Sequence, residues 1–263
     1  MGHAIIRAMA GAEGAALAVA VERSDYPYLG ADASQLAGLG ASGIKVNDQR
    51  PSKGAADVWI DFSVPAASVE NVKAAAALEN VKAAAAAGAA MVIGTTGISA
   101  VDKTAIAAAA KTIPVVLAPN MSMGVNVMLK LIADAARLLG PAYDIEIVET
   151  HHRAKRDAPS GTALRLAEAV AEASGRDLAK TARYERHGDI GPRTAEEIGI
   201  QTLRGGDVFG DHTVFFLGQG DRIEITHRAS SRDTFAHGAV RAALWLAGKS
   251  AGLFDMRDVL GLK

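Results

Sequence analysis

Short apolar runs alternate with alanine-rich stretches through the first half of the chain, and this alternation limits the folds open to it. The apolar runs, which we predict to be buried strands, are residues 17–21, 57–62, 91–93 and 114–117. Residues 66–87 and 101–111 separate them and are helical by composition. Buried strands joined by helices imply a parallel sheet with right-handed crossovers. We therefore predict an α/β fold with a doubly wound parallel sheet.

The second half of the chain has a different pattern. Several of its apolar segments alternate with period 2, which is typical of a half-exposed antiparallel or mixed sheet. These predicted strands are residues 144–150, 197–203, 212–217 and 222–227. An amphipathic helix is predicted over 233–248, and we expect it to return to the first domain. The chain is thus expected to form two domains, with the second an α+β domain: 1–122 with 232–263, and 123–231.

Charge and cysteine content exclude several classes of protein. The 263 residues include 28 basic and 29 acidic side chains, so the formal net charge is −1. A nearly neutral chain argues against a protein that coats nucleic acid or binds membranes through a polybasic surface. The absence of cysteine rules out disulfides and thiolate chemistry, and it fits a cytoplasmic protein.

No apolar run reaches the roughly 18–20 uncharged residues that a membrane span requires. The alanine-rich segment 1–21 is not expected to be a signal peptide, because His3, Arg7 and Glu13 interrupt it. We therefore predict no membrane-spanning segment and no membrane partner.

Residues 70–78 and 79–87 form a tandem repeat. The two copies, ENVKAAAAL and ENVKAAAAA, match at eight of nine positions. Nine residues make about 2.5 helical turns, so equivalent side chains of the two copies fall on opposite faces of one straight helix. We interpret the repeat as a slipped duplication within one crossover helix, absorbed by lengthening or bulging and without a functional role.

The densest concentration of chemically active side chains directly follows the strand predicted at 144–150. The segment HHRAKR at 151–156 holds five side chains that can be basic in six positions. Such a cationic cluster suits an anionic substrate, and histidine can also move protons near neutral pH. The sequence PSGT at 159–162 then opens a helix, whose first N–H groups suit a carboxylate or phosphate. A solvated basic loop followed by an ordinary serine cap is the alternative interpretation.

Two other chemistries are disfavoured in this segment. The adjacent histidines point in different directions and no HExxH pattern is present, so we predict no metal site. Ser160 does not lie in the GxSxG sequence of a nucleophile elbow, which argues against serine catalysis.

Two further segments follow predicted strands and suit a nucleotide. The sequence GTTG at 94–97 has small residues that let a ligand approach the backbone and two hydroxyls that can hydrogen-bond to it. Glu22 ends the strand predicted at 17–21, where a carboxylate can bind ribose hydroxyls, and Arg23 beside it can meet a 2′-phosphate. A plain tight turn at 94–97 and solvated loop charges at Glu22 and Arg23 are the alternatives.

Taken together, these segments resemble the dihydrodipicolinate reductases, also called 4-hydroxy-tetrahydrodipicolinate reductases. The resemblance runs over essentially the whole chain, and HHRAKRDAPSGTA is its most specific part. The matching stretches are DFSVP (61–65), VIGTTG (92–97), APNMSMGVNVMLKL (118–131), EIVETHHRAKRDAPSGTA (146–163), ITHRASSRDTFAHGAVRAALWLAG (225–248) and GLFDMRDVL (252–260).

The resemblance implies a fold, a reaction and a set of residue roles. The fold is a Rossmann-like dinucleotide-binding domain (1–122 and 232–263) plus a domain for substrate binding and oligomerisation (123–231). The reaction is reduction of a cyclic dicarboxylate by NADPH or NADH, on the diaminopimelate and lysine pathway, in a homotetramer. Proton transfer is implied for His151 and Lys155, and substrate carboxylate binding for His152, Gly161 and Thr162. The implied cofactor contacts are Glu22, Arg23, Gly94, Thr95, Thr96, Ala118, Pro119, Asn120 and Met121.

The chain departs from the family pattern at its start. The family begins with a strand and a glycine-rich GxxGxMG loop, whereas Met1-Gly2 matches only the end of that loop and residues 4–10 match the helix after it. We expect either a start assigned at an internal methionine or a truncated chain with weak cofactor binding. Two alternatives to the reductase follow: an impaired form that folds and oligomerises, and another Rossmann oxidoreductase acting on an aspartate-derived metabolite.

Overall fold

The computed structural model describes residues 1–49, 51, 54–62 and 89–262. The tandem repeat at 70–78 and 79–87 and the helix predicted over 66–87 lie outside the described residues. The chain divides into two compact units, each described here by itself. The first is formed by Met1–Met123 with Arg232–Lys263, and the second by Gly124–Ser231.

The helices and strands of the described residues follow one another in this order. From the amino terminus these are α1 (Gly2–Ala10), β1 (Ala20–Val21), α2 (Ala33–Leu36), β2 (Val46–Asn47), β3 (Val58–Asp61), β4 (Ala90–Ile93), α3 (Ala100–Ala109), β5 (Pro114–Leu117) and α4 (Met123–Leu139). The second unit continues with a 3-10 turn (Gly140–Ala142), β6 (Asp144–His151), α5 (Gly161–Ala173), α6 (Leu178–Thr181), β7 (Ala182–Arg183), β8 (Ile198–Arg204), β9 (Gly210–Leu217) and β10 (Arg222–Ala229). The returning segment forms α7 (Asp233–Leu246), β11 (Gly252–Phe254) and α8 (Met256–Leu260).

A four-stranded parallel sheet lies at the centre of the first unit, in the order β11-β5-β4-β3. Its central strands are apolar on both faces, because helices cover both. On one face Val92 and Val116 pack against α7, and on the other Met91 and Val115 pack against Ile106 of α3. The prediction of a doubly wound parallel sheet is confirmed. The helix α7 belongs to this unit.

The strand predicted at 17–21 is shorter and less buried than expected. Only Ala20–Val21 is extended as a strand, and it pairs in parallel with Val46–Asn47 in a separate two-stranded sheet. Val21 is 44% exposed. The prediction of a buried strand here was wrong, because a two-residue ladder outside the four-stranded sheet has little around it to cover its side chains.

A five-stranded mixed sheet forms the second unit, in the order β10-β9-β6-β8-β7. Its central strand β6 runs parallel to β8 and antiparallel to β9. One face packs against α4 and α5, with Ile147, Ile200 and Phe216 at the centre of the core. The predicted mixed sheet is confirmed. The strands extend one or two residues further than predicted at one end, so that His151, Arg204 and Gly210 join the ladder.

The long helix α4 is the main element that the periodicity analysis did not predict. Its apolar residues Met128 and Ile132 belong to the core of the second unit. In the part of the chain that the structure describes, no helix is both long enough and apolar enough to cross a membrane.

Candidate active site

The candidate active site begins on the inner face of β6. Alternate residues of this strand point toward the helices, so Ile145 and Ile147 enter the apolar core and Glu149 and His151 continue the same row. Glu149 is fully buried and His151 is 8% exposed. The inner row therefore changes from apolar to ionisable at the carboxyl end of the strand.

The Glu149 carboxylate accepts hydrogen bonds from three residues of two neighbouring elements, the start of α5 and the strand β8. Its donors are the Ser160 backbone N–H (3.1 Å), the Thr202 hydroxyl (3.1 Å) and Arg204 Nη1 and Nη2 (both 2.9 Å). Burial alone would raise the pKa of Glu149, but hydrogen bonds from Arg204, His151 and Ser160 outweigh it and lower the pKa below its usual value. The group is therefore an ionised carboxylate at neutral pH.

His151 is held at one edge of its ring and open at the other. Its Nδ1 lies 2.5 Å from Oε2 of Glu149. The Nε2 edge faces Gly210 on β9, where a Cβ atom would lie 2.9 Å from Nε2. Because Gly210 has no side chain, there is space beside Nε2 that any other residue type would fill.

A second histidine lies beside the first. The rings of His151 and His212 meet edge to face with centroids 5.2 Å apart. Burial, with a further contribution from His151, lowers the pKa of His212 to about 4, so this ring is uncharged at neutral pH. Its Nε2 lies 3.1 Å from the Ser160 hydroxyl oxygen.

The loop after β6 brings Lys155 to the same end of the sheet. Lys155 Nζ lies 2.9 Å from both carboxylate oxygens of Asp157, and this ammonium lowers the pKa of Asp157. Arg204 Nη2 donates to the Asp157 carbonyl at 2.7 Å, and the His152 N–H donates to the Val208 carbonyl at 2.7 Å. The loop is thus fastened at several points to the sheet and to the segment that follows β8.

The start of α5 completes this group of residues. Ser160 caps the helix, because its hydroxyl accepts from the Ala163 N–H at 3.1 Å. Gly161 and Thr162 occupy the first turn of this 13-residue helix, where N–H groups and the helix dipole favour an anion. All five residues predicted for proton transfer and substrate binding, His151, His152, Lys155, Gly161 and Thr162, therefore lie between the end of β6 and the start of α5 in one unit.

The residues predicted to contact the nicotinamide side of a cofactor follow two adjacent strands of the first unit. Gly94, Thr95 and Thr96 follow β4, and Ala118 to Met121 follow β5, with the Ala118 N–H donating to the Ile93 carbonyl at 3.1 Å. Thr95, Ala118 and Met121 are buried, while Thr96 and Pro119 are exposed. Asn120 Oδ1 accepts from the Ser122 N–H at 2.9 Å.

Gly94 cannot carry a side chain without displacing a neighbour. A Cβ atom there would lie 2.3 Å from the ring of Phe62, which follows β3. Gly94 and Ala118 are small buried residues at the carboxyl ends of neighbouring parallel strands, the usual place for a nucleotide in such sheets. The residues present therefore fit a dinucleotide.

Glu22 and Arg23 lie apart from those strands, after β1 of the two-stranded sheet. The Glu22 N–H donates to the Asn47 carbonyl at 2.9 Å. Both side chains are exposed, and Arg23 Nε lies 3.3 Å from an Asp25 carboxylate oxygen. They stand at the end of a parallel strand, as predicted.

Sequence reasoning missed Glu149, Arg204, Gly210 and His212. The period-2 pattern of DIEIVETH did place Glu149 on the face of His151, which was the one usable signal. Arg204 is 55 residues away from Glu149 along the chain, and only the register of β6 against β8 and β9 brings the others together. Among the described residues, no group of three or more histidine, aspartate or glutamate side chains is placed to share a metal ion.

Comparison with known proteins identifies relatives along the whole chain. Residues 1–121 match the family model for the N-terminus of dihydrodipicolinate reductase, and residues 124–260 match that for its C-terminus. The 4-hydroxy-tetrahydrodipicolinate reductase of Geotalea daltonii is 51% identical over 264 residues, covering 100% of this chain and 96% of its own. That of Anaeromyxobacter dehalogenans strain 2CP-C is 53% identical, with 100% of this chain and 94% of its own covered.

Solved structures agree on the fold. The dipicolinate-bound dihydrodipicolinate reductase from Paenisporosarcina sp. TG-14 superposes with a TM-score of 0.73 over 97% of this chain and 92% of its own, at 22% identity. An amine dehydrogenase from Mycobacterium smegmatis gives a TM-score of 0.54 at 13% identity, over 96% of this chain and 91% of its own. With both domains matched and half of the residues identical in full-length relatives, the chain belongs to the dihydrodipicolinate reductase family, a family of NAD(P)H-dependent oxidoreductases.

Proposed function

We propose that this chain reduces 4-hydroxy-tetrahydrodipicolinate to tetrahydrodipicolinate, a step toward diaminopimelate and lysine, and that His151 is its proton donor. The observation that supports this most is the Glu149–His151 pair beside the cationic loop, because it couples a proton-transfer group to a receptor for a dianion. The family match over the whole chain favours this reductase over another Rossmann oxidoreductase and does not favour the impaired form.

Proton transfer is assigned to His151 and Lys155. Reduction of a ring carbon builds electron density on the conjugated imine, and a nearby acid must supply a proton to quench it. Since Glu149 occupies Nδ1, the proton available to the substrate is the one on Nε2 of the doubly protonated ring. Lys155, which is 19% exposed in its side chain, supplies positive charge close by.

Substrate binding is assigned to His152, Gly161 and Thr162. Two carboxylates need donors and positive charge, and the first turn of α5 supplies both through its N–H groups and its dipole. Pyridine-2,6-dicarboxylate, a planar dicarboxylate, is expected to inhibit competitively against the substrate. Absence of binding by this compound would contradict the assignment around Thr162.

Cofactor binding is assigned to the carboxyl ends of β1, β4 and β5. NADPH or NADH supplies the hydride when bound. Gly94, Thr95 and Thr96, with Ala118, Pro119, Asn120 and Met121, would hold the nicotinamide side through backbone and hydroxyl groups. Glu22 suits ribose hydroxyls and Arg23 suits a 2′-phosphate, so this pair is compatible with either cofactor.

A cytoplasmic homotetramer is the proposed state of the protein. Supporting the assembly, the second unit exposes several large apolar side chains, among them Leu203, Phe209 and Ile223. Sedimentation equilibrium measures the assembly directly, and a monomer at micromolar concentration would contradict it. The absence of cysteine supports the cytoplasmic assignment.

The proposed function is tested by following NADPH oxidation at 340 nm, with the substrate generated in the cuvette from pyruvate and aspartate semialdehyde. Oxidation that requires both precursors is the expected result. Tight NADPH binding without substrate-dependent oxidation would contradict the reductase assignment. Neither binding nor oxidation would instead point to the nucleotide site.

A further inference from the structure

We propose that Glu149 is a positioning residue that holds His151 in a single tautomer, with the proton on Nδ1 and with Nε2 as the nitrogen that exchanges protons with the substrate. This inference rests on the proposed function for the role of Nε2. The tautomer itself follows from the geometry around Glu149 and can be measured without any enzymatic activity.

The direction of the hydrogen bond between the two side chains is fixed by charge. An ionised carboxylate has no proton to give, so it can only accept. Glu149 is ionised because its neighbours lower its pKa. At an Nδ1–Oε2 distance of 2.5 Å, Nδ1 must therefore be the donor, and a neutral His151 ring carries its one proton there.

The carboxylate cannot turn to change this arrangement. Oε1 accepts from the Ser160 N–H, the Thr202 hydroxyl and Arg204 Nη2, while Oε2 accepts from Arg204 Nη1 and His151 Nδ1. Arg204 thus binds both oxygens in the bidentate geometry that fixes a carboxylate in plane. Because Glu149 is fully buried, water does not compete for these bonds.

The same geometry predicts what an amide would do at this position. In Glu149→Gln, three donors converge on the Oε1 position, so the amide oxygen is expected to occupy it and the amide nitrogen to take the place of Oε2. Nδ1 of His151 would then face an N–H donor and would have to accept. The neutral ring would carry its proton on Nε2, and Nδ1, facing an N–H donor, could not take the second proton that makes the ring an acid able to protonate the substrate.

Nuclear magnetic resonance of histidine nitrogens tests the tautomer in the intact protein. Long-range ¹H–¹⁵N spectra distinguish the two neutral tautomers by their nitrogen shifts, and His151→Gln identifies the signals of this ring. We expect the wild-type ring to be the Nδ1–H tautomer and the Glu149→Gln ring to be the Nε2–H tautomer. The matched control is Thr202→Val, which removes one bond to Oε1 without touching His151 and is expected to keep the wild-type tautomer.

Kinetics give the second readout. Glu149→Gln is expected to lower kcat by about 10²- to 10⁴-fold, as for loss of an oriented proton-transfer group, with KM for NADPH unchanged. Thr202→Val should cost kcat less than about tenfold, because the tautomer is kept. A merely structural role would lower the thermal midpoint in both variants and leave both tautomers alike.

Two results on the wild-type protein would overturn the proposal, whatever the stability of Glu149→Gln. A wild-type His151 ring protonated at Nε2 would refute the assignment outright. A mixture of both tautomers in the wild type would show that Glu149 does not fix the ring. A failure of the proposed function would give a different result. The Nδ1–H tautomer would be seen, but NADPH would not be oxidised in the presence of the precursors.

Discussion

The two candidate sites consist of different kinds of residues, although both lie at the ends of strands. At the end of β6, ionisable side chains are buried and joined by hydrogen bonds from three elements. At the ends of β4 and β5 the residues are mostly small and uncharged, and the charged Glu22 and Arg23 lie exposed after a strand of a separate sheet. Under the proposed function, the unit with fixed ionisable side chains would perform the proton chemistry and the unit with small residues at its strand ends would bind the cofactor.

Replacement of the proton donor is expected to give the largest effect. His151→Gln keeps a polar side chain of similar size but has no group that titrates near neutral pH, so kcat should fall by about 10²- to 10⁴-fold. NADPH affinity should stay within a few-fold, because His151 lies in the other unit. His187→Gln, at an exposed loop position, is the matched control and should leave both values unchanged. A large loss of NADPH affinity with normal turnover would contradict the role of His151.

The buried neutral His212 is expected to make stability depend on pH. Its pKa is about 4 in the folded protein against an ordinary 6.5, so between these values the unfolded chain binds a proton that the folded chain does not. The free energy of unfolding should therefore decrease as pH falls from 6.5 toward 4, by about 3 kcal/mol from this group. Urea unfolding at both pH values measures it.

His212→Gln is the comparison for that measurement. The variant loses the titrating group, so its stability should fall less between the two pH values, whatever its absolute stability. Equal pH dependence in both proteins would show that groups other than His212 account for the effect. The carboxyl of Glu149 has a lowered pKa, so its own contribution is kept above its ordinary pKa and lost only at lower pH.

Crowding at Gly94 should destabilise the first unit and weaken its cofactor binding, and it should leave the second unit unchanged. Gly94→Ala places a Cβ atom 2.3 Å from the Phe62 ring, and relieving that contact is expected to cost about 1–3 kcal/mol. NADPH affinity should weaken while the Nδ1–H tautomer of His151 stays unchanged. Gly40→Ala is the control, since nothing lies within 4 Å of its Cβ position. Equal NADPH affinity in the two variants would remove Gly94 from the cofactor site.

Removal of the exposed arginine should have the smallest effect. Arg23→Ala is expected to weaken NADPH binding by about tenfold, because a charge-assisted contact to the 2′-phosphate is lost, and to leave NADH binding unchanged. Arg165→Ala removes an exposed arginine of the second unit and serves as the control. A parallel loss for NADH and NADPH would show that Arg23 does not distinguish the two.

Local patterns in the sequence were sufficient to predict the layers and most of the strands. The apolar run at 114–117 became a strand with those bounds, and the period-2 segments became the mixed sheet. The buried strand predicted at 17–21 failed, because burial depends on which strands pair with it and the pattern of one segment does not contain that information.

The active-site prediction was limited in the same way. His151 and Lys155 belong to one continuous segment, so a single stretch of sequence carried the signal. Glu149, by contrast, is recognisable as a partner only once Arg204 and His212 are brought beside it by strand register. Periodicity within one segment therefore does not predict buried polar partners that come from distant segments.

The central claim is that proton chemistry and cofactor binding belong to different units. It is tested most directly by measuring two quantities on His151→Gln and Arg23→Ala. These are the NADPH dissociation constant, from nicotinamide fluorescence, and the single-turnover rate of NADPH oxidation at saturating cofactor. We predict that His151→Gln loses the rate and keeps the affinity, while Arg23→Ala loses affinity and keeps the rate. If either variant changed both quantities together by similar factors, proton chemistry and cofactor binding would not be divided between the two units.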